Sequence, residues 1–449
     1  MAKLLTSFAE MLESRPAISL HLHTPAHQGR PVVRGLPATL PQPLFQRDLP
    51  YFTRRDLGAF EARIASHYGT KQTICLTTGT SLGVLASVLA LARRHEKTYI
   101  LRNCHKSVIN GMVLAGIAPD FIVPRGAVIT PVELVERFAA APAGGPTAIV
   151  FTNPTFEGRG CDLDACAAVC RSYGLEIVVD ESHGSHWAAS GLLPRSAINA
   201  DVDIVLHSLH KYAGALVQTA LLHLPASSRL SGEEMARALD VLETTTLSNL
   251  LLLSVEQAIE HLFTPRAAAH IERLLAELSG IKRRQHNGGG LLRYHTPEGV
   301  AHQDPLKFFL TSERVSPDVL ARWFYEAGVD NEFHDATGVL FIFSVLNTLA
   351  DLKRYERACR QVKLQILAAP PLLRRAPLVM NHPQMDLAPR AAALAKSERV
   401  EVGTALGRIA AELIAHCPPG WPVLIPGERI TEWHVQTLGE GYLIRVTKL

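Results

Sequence analysis

Asp180-Glu181-Ser182-His183-Gly184-Ser185-His186 is followed, about thirty residues on, by Ser208-Leu209-His210-Lys211. An apolar run, Leu175 to Val179, leads into Asp180, and a second, Val202 to Leu206, leads into the Ser-Leu-His-Lys. Each reads as a buried strand that delivers polar residues at its C-terminal end. In open α/β sheets that edge is where ligands bind.

Working outward, strand-like runs keep alternating with helical ones. Leu57 to Tyr68 is helical in pattern, Thr73–Leu76 is strand-like, and an apolar helix follows to about Arg94. Tyr99–Leu101 and Ala148–Phe151 read as further strands, and residues 162–173 as a helix leading to the strand before Asp180. This alternation across residues 57–225 predicts one parallel-dominated sheet flanked by helices. Thr77-Thr-Gly-Thr-Ser-Leu-Gly83 lies between a strand and a helix N-terminus. There, backbone N–H groups, hydroxyls and the helix dipole favour an anion such as phosphate. Many such turns only cap a helix.

An acid and a lysine at neighbouring strand ends suit pyridoxal 5'-phosphate (PLP). That cofactor needs a lysine amine for its Schiff base and a carboxylate beside its ring nitrogen. Asp180 and Lys211 are the candidates.

The surrounding motifs resemble the bacterial ornithine/lysine/arginine decarboxylase family, in its short form. The family usually reads Asp-Glu-Ala-His-Gly-Ala-His and Ser-Thr-His-Lys where this chain has the two opening motifs. His21-Leu-His-Thr-Pro-Ala-His-Gln-Gly29 is similar to its His-Thr-Pro-Gly-His-Lys-Gly-Gly arm, with Ala26, Gln28 and Arg30 as departures. Thr152-Asn-Pro-Thr-Phe, Asp304-Pro-Leu-Lys307, Pro389-Arg390, Cys417-Pro-Pro-Gly-Trp-Pro422 and Ile425-Pro-Gly-Glu428 also match family segments. The resemblance covers roughly residues 15–449.

The resemblance implies an α/β, fold-type-I PLP-dependent enzyme with an aspartate-aminotransferase-like large domain and a smaller α+β C-terminal domain. The expected division is an N-terminal arm at 1–56, a large PLP-binding domain at 57–262 and a small domain at 263–449. It implies phosphate contacts from Thr80, Ser81 and the backbone of Leu82, where the family often has Thr. His105 would stack on the ring and Asp180 would pair with its nitrogen. Ser182 would lie against the ring, and His183 near its O3′ or the substrate carboxylate. Ser208 and His210 would reach the phosphate, and Lys211 would carry the Schiff base and return a proton to the substrate. Ser248, in Leu242-Glu-Thr-Thr-Thr-Leu-Ser-Asn249, would reach across a homodimer interface, although a polar cap on the following helix explains it too.

The implied reaction is decarboxylation of arginine, lysine or ornithine. Glu332 matches a family position and is a candidate acidic group. The departures at Ala26, Gln28, Arg30, Arg54, Arg55, Leu82, Ser182, Leu247 and Ala391 support an alternative. That alternative is a cyclase, lyase, aminotransferase or oxidative deaminase of the same fold, acting on a modified basic amino acid whose carboxylate or phosphate the entrance arginines would hold. A catalytically silent homologue is opposed by retention of Asp180 and Lys211.

Composition fits these expectations. The 449 residues are 47% hydrophobic and 19% charged with a net charge of +3, which argues against a dedicated nucleic-acid binder or a polybasic membrane protein. No apolar run approaches the roughly 18–20 residues that span a bilayer, and the N-terminus lacks a signal-peptide core. Seven cysteines without CxxC pairs suggest reduced thiols in the cytoplasm. The cluster of Cys161, Cys166 and Cys170 fits helix faces better than a zinc site, so no metal is expected. Residues 3–13 read as an amphipathic helix, residues 30–55 as irregular, and Gly288–Gly290 as a loop. No repeat, low-complexity tract or separate N-terminal domain is evident.

Overall fold

The computed structural model describes residues 20–22, 53–141, 144–286, 291–295, 299–369, 380–416 and 420–448. The helix expected at 3–13, the arm motif from His23 onward with Ala26, Gln28 and Arg30, the loop Gly288–Gly290 and residues Cys417–Pro419 lie outside them.

Seven strands form the main sheet: β1 Gln72–Leu76, β2 Lys97–Leu101, β3 Ala118–Ile122, β4 Ala148–Thr152, β5 Glu176–Asp180, β6 Ile204–Ser208 and β7 Ala220–Leu224. Their order is β1-β7-β6-β5-β4-β2-β3. All neighbours are parallel except β7, which runs antiparallel to both β1 and β6. The parallel-dominated sheet expected from the alternation is therefore present.

The strands are continuous apolar runs because both faces are covered. Alternate residues feed two separate cores: Ile149, Phe151, Ile177 and Val179 on one face, Val150, Val178, Ile204 and Leu206 on the other. Helix α1 (Gly58–Tyr68) packs with the first core, and α2 (Gly79–Ala92) and α3 (Lys106–Ala115) with the second. Gly83 lets α2 press onto the sheet, since a Cβ there would meet Leu206 Cδ2 at 2.7 Å and Leu76 Cδ1 at 2.8 Å. Helix α4 (Leu163–Ser172) starts where Asp162 accepts a hydrogen bond from the Ala165 amide, a favoured N-cap. It buries Cys166 and Cys170 in the first core.

Beyond the sheet, helix α5 (Asn249–Leu262) leads to α6 (Pro265–His286). A four-stranded antiparallel sheet follows, from Arg293–Tyr294, Lys307–Thr311, Val339–Ile342 and Phe333–His334 in spatial order. The segment Leu20–Leu22 pairs in parallel with Val329–Asn331. Ser397–Glu401 pairs with Leu443–Thr447, and residues such as Leu424, Ile430 and Ile444 form a separate small core. Among the described residues no helix is long and apolar enough to cross a membrane.

A buried arginine ties this C-terminal lobe to the main sheet. Arg102 follows β2, is 1% exposed, and donates from Nη1 to the Pro422 carbonyl at 2.6 Å. Its Nη2 reaches Asn381 Oδ1 at 3.3 Å. The Lys106 amide donates to the Gly420 carbonyl at 2.9 Å, which brings Gly420 and Trp421 over the sheet edge. Gly420 has φ +91°, and a Cβ there would meet the His105 ring at 2.5 Å, so the close approach needs glycine.

Candidate active site

A cavity of about 300 Å³ opens at the C-terminal ends of the parallel strands. Thr78 and Gly79 follow β1, Asn103 and His105 follow β2, Thr152 ends β4, Asp180 ends β5, and Ser208 ends β6. Because β7 is antiparallel, its N-terminal end reaches the same edge, with Ser208 opposite Ala220, and this places Gln218 in the wall. Trp421 contributes from the C-terminal lobe.

Nine of the residues singled out from sequence converge here: Thr80, Ser81, His105, Asp180, Ser182, His183, Ser208, His210 and Lys211 all line the cavity. Two do not. The Leu82 side chain is 7% exposed and packs in the second core, so only its backbone is near the turn. Ser248 caps α5, accepting from the Leu251 amide, and lies outside this cavity. The simple helix cap therefore accounts for its contact within the chain.

Asp180 is buried at 7% exposure. Its Oδ1 accepts from the Ser182 amide at 3.0 Å and from Ser182 Oγ at 2.5 Å. Ser182 thus adds a side-chain hydrogen bond to the carboxylate. Lys211 Nζ lies 2.8 Å from His183 Nε2, and His183 Nδ1 lies 3.3 Å from Tyr212 Oη. Burial pushes the His183 pKa well below its ordinary value, and the Lys211 and Lys307 cations push it further, so this imidazole is neutral. His105 caps α3 through Nδ1, which lies 2.8 Å from Ser107 Oγ, and burial lowers its pKa too. His210 Nδ1 faces the Thr219 carbonyl at 3.2 Å and Ser208 Oγ at 3.3 Å.

The turn before α2 is built to receive an anion. Gly79 adopts φ +81° and donates to the Gln218 carbonyl at 2.7 Å. Thr78 makes no side-chain cap, so it does not satisfy the first amides of α2. Thr80 Oγ1, Asn103 Oδ1 and Thr152 Oγ1 are buried in the cavity wall without a hydrogen-bond partner. Buried polar groups of this kind mark a place where a polar ligand completes the bonding. The unpartnered hydroxyl and helix N-terminus at one end, and the carboxylate and lysine at the other, fit PLP.

Asn103, Thr152, Gln218, Tyr212 and Trp421 were not assigned roles from sequence. The first two follow the rule that exposed Asp180, namely a polar residue at a strand end. Gln218 required knowing that β7 is antiparallel, and Trp421 required long-range packing.

Two expectations about the rim change. Arg54 is not available to hold a substrate anion: Nη1 lies 2.7 Å from Glu61 Oε1 and Nη2 2.5 Å from Glu243 Oε1. It compensates two buried acids, which weakens the case for a modified substrate at that point. Glu332 does not line the cavity. Its charge acts instead on buried Tyr212 and Lys307.

Asp304 and Lys307 form a buried support beneath the site. Asp304 lies 3.1 Å from His186 Nε2, and Lys307 Nζ donates to the Phe156 carbonyl at 2.7 Å. Burial pushes the Lys307 pKa down to about 7 against the pull of Asp304. Glu181 is fully buried as well, holding the Ala197 amide at 2.7 Å and His207 Nε2 at 2.6 Å.

Comparison with known proteins gives a consistent answer. Residues 58–313 match the family model described as Orn/Lys/Arg decarboxylase, major domain, and residues 373–443 match its C-terminal domain. An arginine decarboxylase of Halalkalibacterium halodurans is 29% identical over 399 residues, spanning 84% of this chain and 79% of that protein. An arginine decarboxylase of Bacillus subtilis is 29% identical over 383 residues, spanning 83% and 78%. The lysine decarboxylase LdcF of Francisella novicida superposes with a TM-score of 0.71 at 18% identity, over 86% of this chain and 71% of that one. A serine palmitoyltransferase of Sphingomonas wittichii superposes with a TM-score of 0.61 at 16% identity, over 78% and 88%. These likenesses show the α/β fold of fold-type-I PLP enzymes, with a central sheet and a C-terminal domain. With its major-domain match spanning more than half the chain, the protein belongs to the Orn/Lys/Arg decarboxylase family.

Proposed function

We propose that this chain is a PLP-dependent decarboxylase of a basic amino acid (arginine, lysine or ornithine). The observation that carries the reading is the convergence of Lys211, Asp180, His105 and the α2 N-terminus on one cavity lined by unpartnered polar atoms. PLP, when bound, supplies an electron sink that stabilises negative charge at the substrate's α-carbon.

The chain's residues have distinct tasks. The α2 N-terminus with Thr80 and Ser81, together with Ser208 and His210, would hold the phosphate. Asp180 would pair with the ring nitrogen and hold its proton, with Ser182 orienting the carboxylate. His105, in the cavity wall, would cover one face of the ring. Lys211 Nζ would hold the cofactor and is the amine placed to supply a proton at the substrate's α-carbon. His183 Nε2 orients that amine. Phe156 and Trp421 narrow the cavity and exclude water.

A homodimer with sites at the subunit interface is part of this reading. Asp180 is the only carboxylate among its described lining residues, and it is engaged by Ser182. In this reading the distal cation of a basic substrate meets its acid beyond these residues, and a second copy of the chain is the proposed source. The composition and reduced cysteines are consistent with action in the cytoplasm. Purified protein with PLP, given arginine, lysine and ornithine separately, should convert one to agmatine or a diamine. A protein that retains PLP but releases no amine from any of the three would refute the assignment.

A further inference from the structure

We propose that Tyr212 is a positioning residue for Lys211, acting through the two tautomers of the His183 ring. The proposal rests on Lys211 being the reactive amine, and not on which reaction it serves. His183 is neutral and buried, so it carries one N–H for two neighbours. Those neighbours are Lys211 Nζ, 2.8 Å from Nε2, and Tyr212 Oη, 3.3 Å from Nδ1.

A phenol oxygen both donates and accepts. When Lys211 is an ammonium, Nζ donates to the Nε2 lone pair and the Nδ1–H donates to Tyr212 Oη. When Lys211 is an amine, Tyr212 Oη–H donates to Nδ1 and the Nε2–H donates to Nζ. The ring thus keeps both hydrogen bonds whichever way Lys211 is protonated. The proton that leaves or returns at Nζ leaves no buried donor unpaired.

The setting holds Tyr212 for this task. Its ring stacks on His186 at 4.4 Å, and Lys307 Nζ lies 5.5 Å from its centroid. Burial, together with the charges of Asp304 and Glu332, raises the phenol's pKa and keeps it protonated. Lys307, His105 and His210 face His183 together with Lys211, and Asp180 faces His105. These groups fix the baseline potential, and replacement of the hydroxyl leaves them all in place.

Tyr212→Phe keeps the stack and the volume and removes only the hydroxyl. A buried N–H without a partner costs more than a buried lone pair without one. The Phe variant should therefore hold His183 as the Nε2–H tautomer, which opposes an ammonium at Nζ. The test uses cofactor-free protein. Lys211 is titrated by competitive acetylation across pH, and the peptide that carries it is read by mass spectrometry. The midpoint should fall by about one pH unit in Tyr212→Phe, with an unchanged thermal melt. An unchanged midpoint in a natively folded variant overturns the proposal. Nitrogen-15 NMR of the His183 ring in the wild-type chain gives a second reading that needs no variant. The protonated nitrogen should switch from Nδ1 to Nε2 as Lys211 titrates, and a ring that keeps one tautomer throughout overturns it. Neither reading involves turnover, so a failed decarboxylase assay and a failed tautomer test are distinguishable.

Discussion

Asp180 ends β5 and Lys211 lies in the short helical turn Leu209–Tyr212 directly after β6, and their substitution separates attachment of the cofactor from holding it. Lys211→Ala should remove the lysine-dependent visible absorbance of the PLP-loaded protein and lower activity by at least about 10³-fold, in keeping with loss of a covalent and proton-transfer group. The spectrum decides this, and a variant that keeps the band would move the attachment elsewhere. Asp180→Ala should weaken PLP retention measured by dialysis. A variant that retains PLP and turns over at the native rate would remove Asp180 from the site. Both residues were legible in the sequence because each follows a short apolar run, and buried strands deliver what comes next to the ligand edge. Tyr212 was not legible as a partner of His183. They lie 29 residues apart and meet only because β5 and β6 are neighbours. Arg54 pairs with Glu61, seven residues on, and with Glu243, 189 residues away, and the second contact leaves no local pattern.

At the scale of elements, helix α1 carries a pH-sensitive contact. Burial raises the Glu61 carboxyl from 4.5 to about 7, against the opposing pull of Arg54. A raised acid binds its proton more readily in the folded chain, so its stabilising contribution is full below pH 4.5 and is lost as pH rises through about 7. Urea unfolding should show the wild-type chain losing up to about 3 kcal/mol through this group between those values. Glu61→Gln should flatten that slope, and an identical slope in the variant would discount the shift. Arg102 joins the β2 end to the C-terminal lobe through carbonyls of Pro422 and Val423. Arg102→Met should cost about 2–4 kcal/mol, the scale of charged hydrogen bonds lost from a buried setting, and should speed amide exchange at residues 421–424. Unchanged exchange there would mean that the lobe docks without this clamp. The strands and helices of the main sheet followed from periodicity. The docking of Gly420 on His105 did not, because a contact across more than three hundred residues leaves no local pattern.

For the whole molecule, the proposal places a second copy of the chain at the site. Light scattering of the PLP-loaded protein should give the mass of a dimer or a multiple of it, and a fully active monomer would contradict a shared site. The family and the fold were legible at this scale because motifs recur from the main sheet to the C-terminal lobe, and the matches at residues 58–313 and 373–443 agree. The most direct test of the proposed activity follows the carboxyl carbon itself. Arginine, lysine and ornithine labelled with ¹³C at the carboxyl group would each be given to the PLP-loaded protein, with gas and products followed by mass spectrometry. Decarboxylation predicts one labelled CO₂ for each amine formed, from at least one of the three. Substrate consumed without labelled CO₂, giving a product that keeps the label, would contradict it.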